Sequence, residues 1–159
     1  MADEAKRAHA LKTFENLCAA LDSHNWKYER NDEALMVDCG AQGDDLPIPV
    51  KMRVREDREL VQLVSHVPVE VPVNKRIEVA AAVSMINYRL LNGCFEFDVR
   101  QGLLYFRMST SFIGTELSRE VFTYLLFVSL QIIDDFNDKF EALANGTLSL
   151  DAFLPQDQE

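Results

Sequence analysis

Cysteine is scarce: Cys18, Cys39 and Cys94 are the only three, and no C-x-x-C pair occurs among them. An odd count without that spacing indicates neither a disulfide framework nor a zinc ribbon, so the three read as small buried residues of a reducing compartment. Histidine is as sparse. His9, His24 and His66 stand far apart without a Cys or carboxylate at ligand spacing, and no metal site is expected. The patterns G-x-S-x-G, G-x-x-x-x-G-K, G-x-G-x-x-G and H-E-x-x-H are all missing, which leaves neither an enzyme nor a cofactor as the expectation. Asp134-Asp135-Phe136-Asn137-Asp138 fits the D-D-x-x-D pattern that holds magnesium on a diphosphate. In a strand-rich chain of 159 residues it reads as solvated helix acids.

Long apolar runs are missing too. The longest, 121–133, is interrupted by Thr123, Ser129 and Gln131 and falls short of the roughly 20 residues a membrane helix requires. The start, Met1-Ala2-Asp3-Glu4, lacks the basic then apolar pattern of a signal peptide, so export by that route is not expected. Positive charge is in deficit: 16 Lys and Arg against 26 Asp and Glu leave a net charge of −10, which argues against nucleic acid as a partner. What remains, with 48% hydrophobic residues, is the composition of one cytoplasmic domain over residues 1–159, able to hold a core without a metal or disulfide.

Periodicity supplies the elements. Over 5–24, Ala10, Leu11, Phe14, Leu17, Cys18 and Leu21 recur at helical intervals, predicting an amphipathic helix. Residues 26–30 and 35–39 flank the turn-like Asn31-Asp32-Glu33 and predict a hairpin. Val50, Met52 and Val54 alternate with Lys51, Arg53 and Arg55, a strand with one buried and one wet face; a further strand follows at 60–65. The extended stretch 67–73 carries Pro68 and Pro72, which cannot donate ladder hydrogen bonds, and is expected at a sheet edge or off the sheet. Asn74 is the predicted cap of a helix reaching about residue 91, whose apolar arc is broad enough to be covered on two sides. A second hairpin spans 95–112. Ser118 then opens a long helix to about residue 144, with Asn145-Gly146 as the turn that ends it. The order is helix, four strands, helix, two strands, helix: an α+β fold with an antiparallel sheet flanked by helices.

This succession, with Asn87-Tyr88-Arg89, Phe95-Glu96-Phe97-Asp98, Gly102-Leu103-Leu104-Tyr105-Phe106 and Ser118 at the head of a long apolar helix, resembles the YbjN family. The resemblance is clearest over 73–143. It implies a fold like that of bacterial type III secretion chaperones, which dimerise and hold extended partner segments. It also implies a bacterial cytoplasmic binding or regulatory protein, in a family described as sensory transduction regulators without a defined reaction. No catalytic residue is carried over.

The functional expectation is a non-enzymatic protein that forms a homodimer and binds a protein or peptide segment. Tyr124, Phe127 and Leu130, on the back of the last helix, are candidates to touch a partner or to lie beneath residues 148–154. Asn87, in the apolar arc of the middle helix, must find hydrogen-bond partners in a nearby backbone or across a dimer interface. Val69 and Val71 belong to the candidate edge onto which an extended segment could add. Lys51, Arg53 and Arg55 form a basic strip that could take an acidic segment or an anion, or pair across the sheet with acids such as Asp38. The alternative function is a small-molecule sensor with a pocket between sheet and long helix, lined by Phe106, Met108 and Phe122.

Overall fold

The structure is a computed structural model that describes residues 2–154. Helix α1 (Ala2–Ser23) is followed by strands β1 (Glu29–Asn31), β2 (Met36–Gln42), β3 (Pro47–Arg55) and β4 (Leu60–Val67). A single 3-10 turn (Val73–Lys75) leads into α2 (Arg76–Asn87), then β5 (Cys94–Asp98), β6 (Leu103–Ser111), α3 (Arg119–Asn145) and the short α4 (Leu150–Phe153). The strands form one antiparallel six-stranded sheet in the order β1-β2-β3-β4-β6-β5. This is the α+β arrangement that the periodicity predicts.

The alternation along β3 explains the layering. Ile48, Val50, Met52 and Val54 are buried, and Pro47, Pro49, Lys51 and Arg53 are exposed. Val61, Leu63, Ser65 and Val67 on β4 and Leu104, Phe106 and Met108 on β6 continue the buried face, because a register of period two keeps one set of side chains on one side. On that face lie Phe14, Leu17 and Leu21 of α1 and Phe122, Leu125, Leu126, Ile133 and Phe140 of α3. The predicted small-molecule pocket falls here. Phe106, Met108 and Phe122 are buried side chains that fill the space between sheet and α3 instead of lining an opening.

Two boundaries differ from the sequence reading, and a third segment takes one of its two expected places. The middle helix starts at Arg76, with Lys75 at its N-cap in place of Asn74, and stops at Asn87 instead of about residue 91. It stops there because the Asn87 side chain turns to the sheet: its Nδ2 donates to Phe95 O at 2.8 Å and its Oδ1 accepts from Phe95 N–H at 2.8 Å. The first hairpin is lopsided, with only Glu29–Asn31 as β1. Finally, of the two places expected for 67–73, an edge or off the sheet, the structure takes the second beyond Val67, so no edge is available there. The segment continues from β4, a strand flanked by β3 and β6, and Val69 and Val71 turn inward at 6% exposure. The prolines explain the departure: Pro68 and Pro72 end ladder pairing, and the valines between them then anchor the crossover to α2 by burial.

The end of α3 follows the predicted turn. Gly146 takes the left-handed conformation (φ 83°) and its N–H reaches Leu143 O at 3.3 Å, a conformation glycine reaches without steric cost. Farther up this helix an acidic turn faces the β2–β3 loop. Asp134 Oδ1 accepts from Asp44 N–H at 2.9 Å. Burial, together with a hydrogen bond to and the charge of Asp45, pushes the Asp138 carboxyl above the ordinary carboxylate range, with Glu141 and Asp134 adding to it. A carboxyl that holds its proton more tightly folded than unfolded gives stability at low pH that is lost as pH rises through the folded value. Asp138→Asn is therefore expected to raise the thermal midpoint at pH 7 and to leave it unchanged well below the carboxylate range. Differential scanning fluorimetry at the two pH values checks this.

Candidate functional site

Two edges bound the sheet, β1 and β5, and α2 closes the second at both ends. Asn87 occupies the outward N–H and C=O of Phe95. At the other end the Arg76 guanidinium donates to the carbonyls of Val71 (3.5 Å), Val99 (3.3 Å), Gln101 (3.2 Å) and Arg100, tying the β5–β6 turn to the crossover. Strand addition at β5 is thereby obstructed, as natural edges require. Asn87 thus uses its amide within the chain.

The outer side of α2 is a different surface. Its buried stripe is Val79, Ala82, Val83 and Ile86. A second stripe runs from Val73 through Ile77, Ala81, Ser84 and Tyr88 to Leu91 at steps of four, four, three, four and three residues; Ile77, Ala81 and Ser84 lie within α2, Val73 in the preceding 3-10 turn, Tyr88 at the C-cap and Leu91 beyond it. Val73 is 76% exposed, Ile77 75%, Tyr88 93% and Leu91 98%. Ala81, Ser84, Met85, Tyr88, Arg89 and Leu154 line a shallow groove along it. The broad arc predicted from sequence is therefore two stripes, one in the core and one in solvent.

On α3, Tyr124 and Phe127 are partly exposed and Leu130 lies at the margin of the core. The first two do not sit beneath 148–154, since Phe153 packs on Phe136 and Phe140. Phe127 meets the ring edges of His24 (5.4 Å) and Trp26 (5.6 Å) just beyond α1, and the Tyr124 hydroxyl accepts from Asn92 Nδ2 at 2.6 Å.

The third surface is the sheet face opposite the helices. Lys51 lies directly across from Asp38 in the β2–β3 register, and Nζ reaches Oδ1 at 3.3 Å, the pairing anticipated for the basic strip. Arg55 Nη2 pairs with Asp57 Oδ2 at 3.3 Å, and Arg53 makes no ion pair among the described residues. Arg107 of β6, which sequence reasoning missed, joins them through the register Lys51–Val64–Arg107 and pairs with Glu96. No local signal could have found it, because β6 is brought beside β4 only by the crossover through α2 and β5. Pro49, Lys51, Val64, His66 and Tyr105 with Asp38 and Cys39 line a concavity of about 280 Å3 on this face. Burial pushes the Cys39 thiol up to about 11, which leaves little thiolate at neutral pH. Among the described residues no group of three or more His, Cys, Asp or Glu side chains is placed to hold a metal ion, and no helix is long and apolar enough to cross a membrane.

Residues 13–142 match the model of the YbjN family, described as "Putative bacterial sensory transduction regulator". The chain belongs to the YbjN family. Solved structures share its fold at low identity. One is YbjN from E. coli, described as a "putative transcription regulator" (16% identity, TM-score 0.59, covering 84% of this chain and 92% of that one). Others come from the HopA1–SchA chaperone–effector complex (14%, 0.55, 81% and 95%) and the ExsC–ExsE complex (18%, 0.54, 84% and 93%). The fold is thus the type III secretion chaperone-like one that the family resemblance implied. No curated protein matches the sequence.

Proposed function

We propose that this YbjN-family protein is a non-enzymatic cytoplasmic homodimer that binds a segment of another protein in a chaperone-like or regulatory role. The observation that carries the reading is the exposed stripe of α2. Ile77 on α2, Tyr88 at its C-cap, and Val73 and Leu91 just outside its two ends are exposed together, and four large apolar side chains so grouped are seldom left to water. An antiparallel two-fold contact centred between Ala81 and Ser84 sets Ile77 against Tyr88 of the partner subunit, a large side chain beside small ones on each helix. Such self-complementarity is what a two-fold interface requires. Tyr124, Phe127 and Leu130 remain candidate contacts for the bound segment.

Light scattering across a dilution series tests the reading. The expected mass is twice that of the 18.1 kDa chain. Ile77→Asp is expected to give a monomer whose own thermal midpoint is nearly unchanged, since exposed substitutions shift stability by only about 0.5 kcal/mol. A wild-type monomer at every concentration, or a dimer indifferent to Ile77→Asp, overturns the dimeric scaffold.

A further inference from the structure

The molecule is strongly acidic overall, with a net charge of −10, yet the middle of its uncovered sheet face is not. On that face the three central strands carry Lys51, Arg53 and Arg55 on β3, Gln62, Val64 and His66 on β4, and Tyr105 and Arg107 on β6. They hold four bases and no acid. The acids of this face, Glu29 and Asp38 on one side and Glu96 and Asp98 on the other, stand on the flanking strands. Cations placed this way keep unused capacity. Arg53 has no ion pair among the described residues, and Arg107 Nε is buried without a hydrogen-bond partner while another arm of the same guanidinium holds Glu96. A buried N–H left without an acceptor is unfavourable and invites one.

Beside Lys51, on the side of the Lys51–Val64–Arg107 row away from Arg53, the surface is concave and mainly apolar, with Asp38 at its margin. Pro49, Val64 and Tyr105 line the cavity of about 280 Å3, with the His66 ring set edge-on against Tyr105 at 5.3 Å. Arg53 and Arg107 belong to strands on either side of β4, two strand spacings apart, or about 10 Å. From these features, and resting on the protein-binding reading above, we infer that this sheet face docks an extended acidic segment of a partner protein. The segment lays one apolar side chain in the concavity, and carboxylates farther along it reach Arg107 and, in the next register row, Arg53. A carboxylate takes the guanidinium fork in two hydrogen bonds. A surrounding field of negative charge confines such a segment to the central strip and repels it elsewhere.

The probe is a fluorescein-labelled octapeptide, Asp-Val-Asp-Phe-Asp-Val-Asp-Gly, titrated with the full-length protein and followed by anisotropy. Two controls are the same peptide with each Asp replaced by Lys and a single-stranded oligonucleotide of equal charge. The acidic peptide is expected to bind, the lysine peptide not to bind, and the oligonucleotide to bind far more weakly. Arg53→Glu is expected to weaken the acidic peptide at least tenfold, with an unchanged thermal midpoint because Arg53 is exposed and unpaired. Lys51→Gln, as a second variant, weakens it by a smaller factor. Equal binding of the lysine peptide or the oligonucleotide overturns the inference, as does acidic-peptide binding indifferent to both variants. Loss of dimerisation in Arg53→Glu seats a second copy on this face and overturns it as well. No peptide binding by a protein that still dimerises through Ile77 removes this site and leaves the dimeric scaffold standing.

Discussion

Replacing Phe95 with alanine is expected to cost about 3–5 kcal/mol of stability, the usual range for removing a buried phenylalanine. In a domain of this size that corresponds to a fall in thermal midpoint of roughly 6–20 °C. The reason lies in how many layers the ring joins. Phe95 projects from edge strand β5, stands edge-on to Phe106 of β6 at 5.1 Å, and lies 5.0 Å from Phe140 and 6.1 Å from Phe136, both on α3. Phe140 in turn contacts Phe153 of α4 at 4.9 Å. One residue thus connects the sheet, the long helix and the terminal helix. A void there borders rigid aromatic rings that relax little, so the cavity term stays large. Phe95→Leu keeps most of the volume and should lose less than half as much. Thermal and urea unfolding of the two variants measure the difference; a Phe95→Ala loss no larger than that of an exposed site such as Tyr88→Ala would contradict this account of the core.

The elements that were legible in the sequence are those whose environment changes from residue to residue. Lys51, Arg53 and Arg55 alternate with Val50, Met52 and Val54 because β3 has helices on one side and solvent on the other, and the pattern records both. Even the pairing of Lys51 with Asp38 could be anticipated, since a short hairpin sets the register. Segments whose apolar residues serve two ends were not legible. In α2, Val79 and Val83 face the core while Ile77, and Tyr88 at the C-cap, face water, and periodicity alone records only a broad arc. Val69 and Val71 alternate with polar residues and prolines as an edge strand would, yet they are buried off the sheet. Only the position of β4 between β3 and β6 reveals that no edge is available there. The cationic face had the same fate. Its β3 half is local in sequence, whereas Arg107 is contributed by a strand more than fifty residues farther on.

Asn87→Ala should show which of the two roles open to this amide the protein uses. Within the chain the side chain makes two hydrogen bonds to Phe95, both at 2.8 Å, standing in for the neighbouring strand that β5 lacks on its outer side. Removing it leaves a partly buried N–H and C=O without partners, a loss of about 1–3 kcal/mol for a buried group so orphaned. It also unlatches the end of the edge strand opposite the Arg76 clamp, so that β5 presents unpaired backbone to other chains. The expected result is a lower thermal midpoint whose decrease is the same at high and low protein concentration, together with faster aggregation on prolonged incubation near the transition. A role across a dimer interface predicts otherwise: a decrease that depends on concentration and disappears where the protein is already monomeric, as in Ile77→Asp. Measuring Asn87→Ala in both the wild-type and the Ile77→Asp background separates the two, because additivity holds only if the Asn87 bonds lie within one chain and remote from the contact proposed for Ile77.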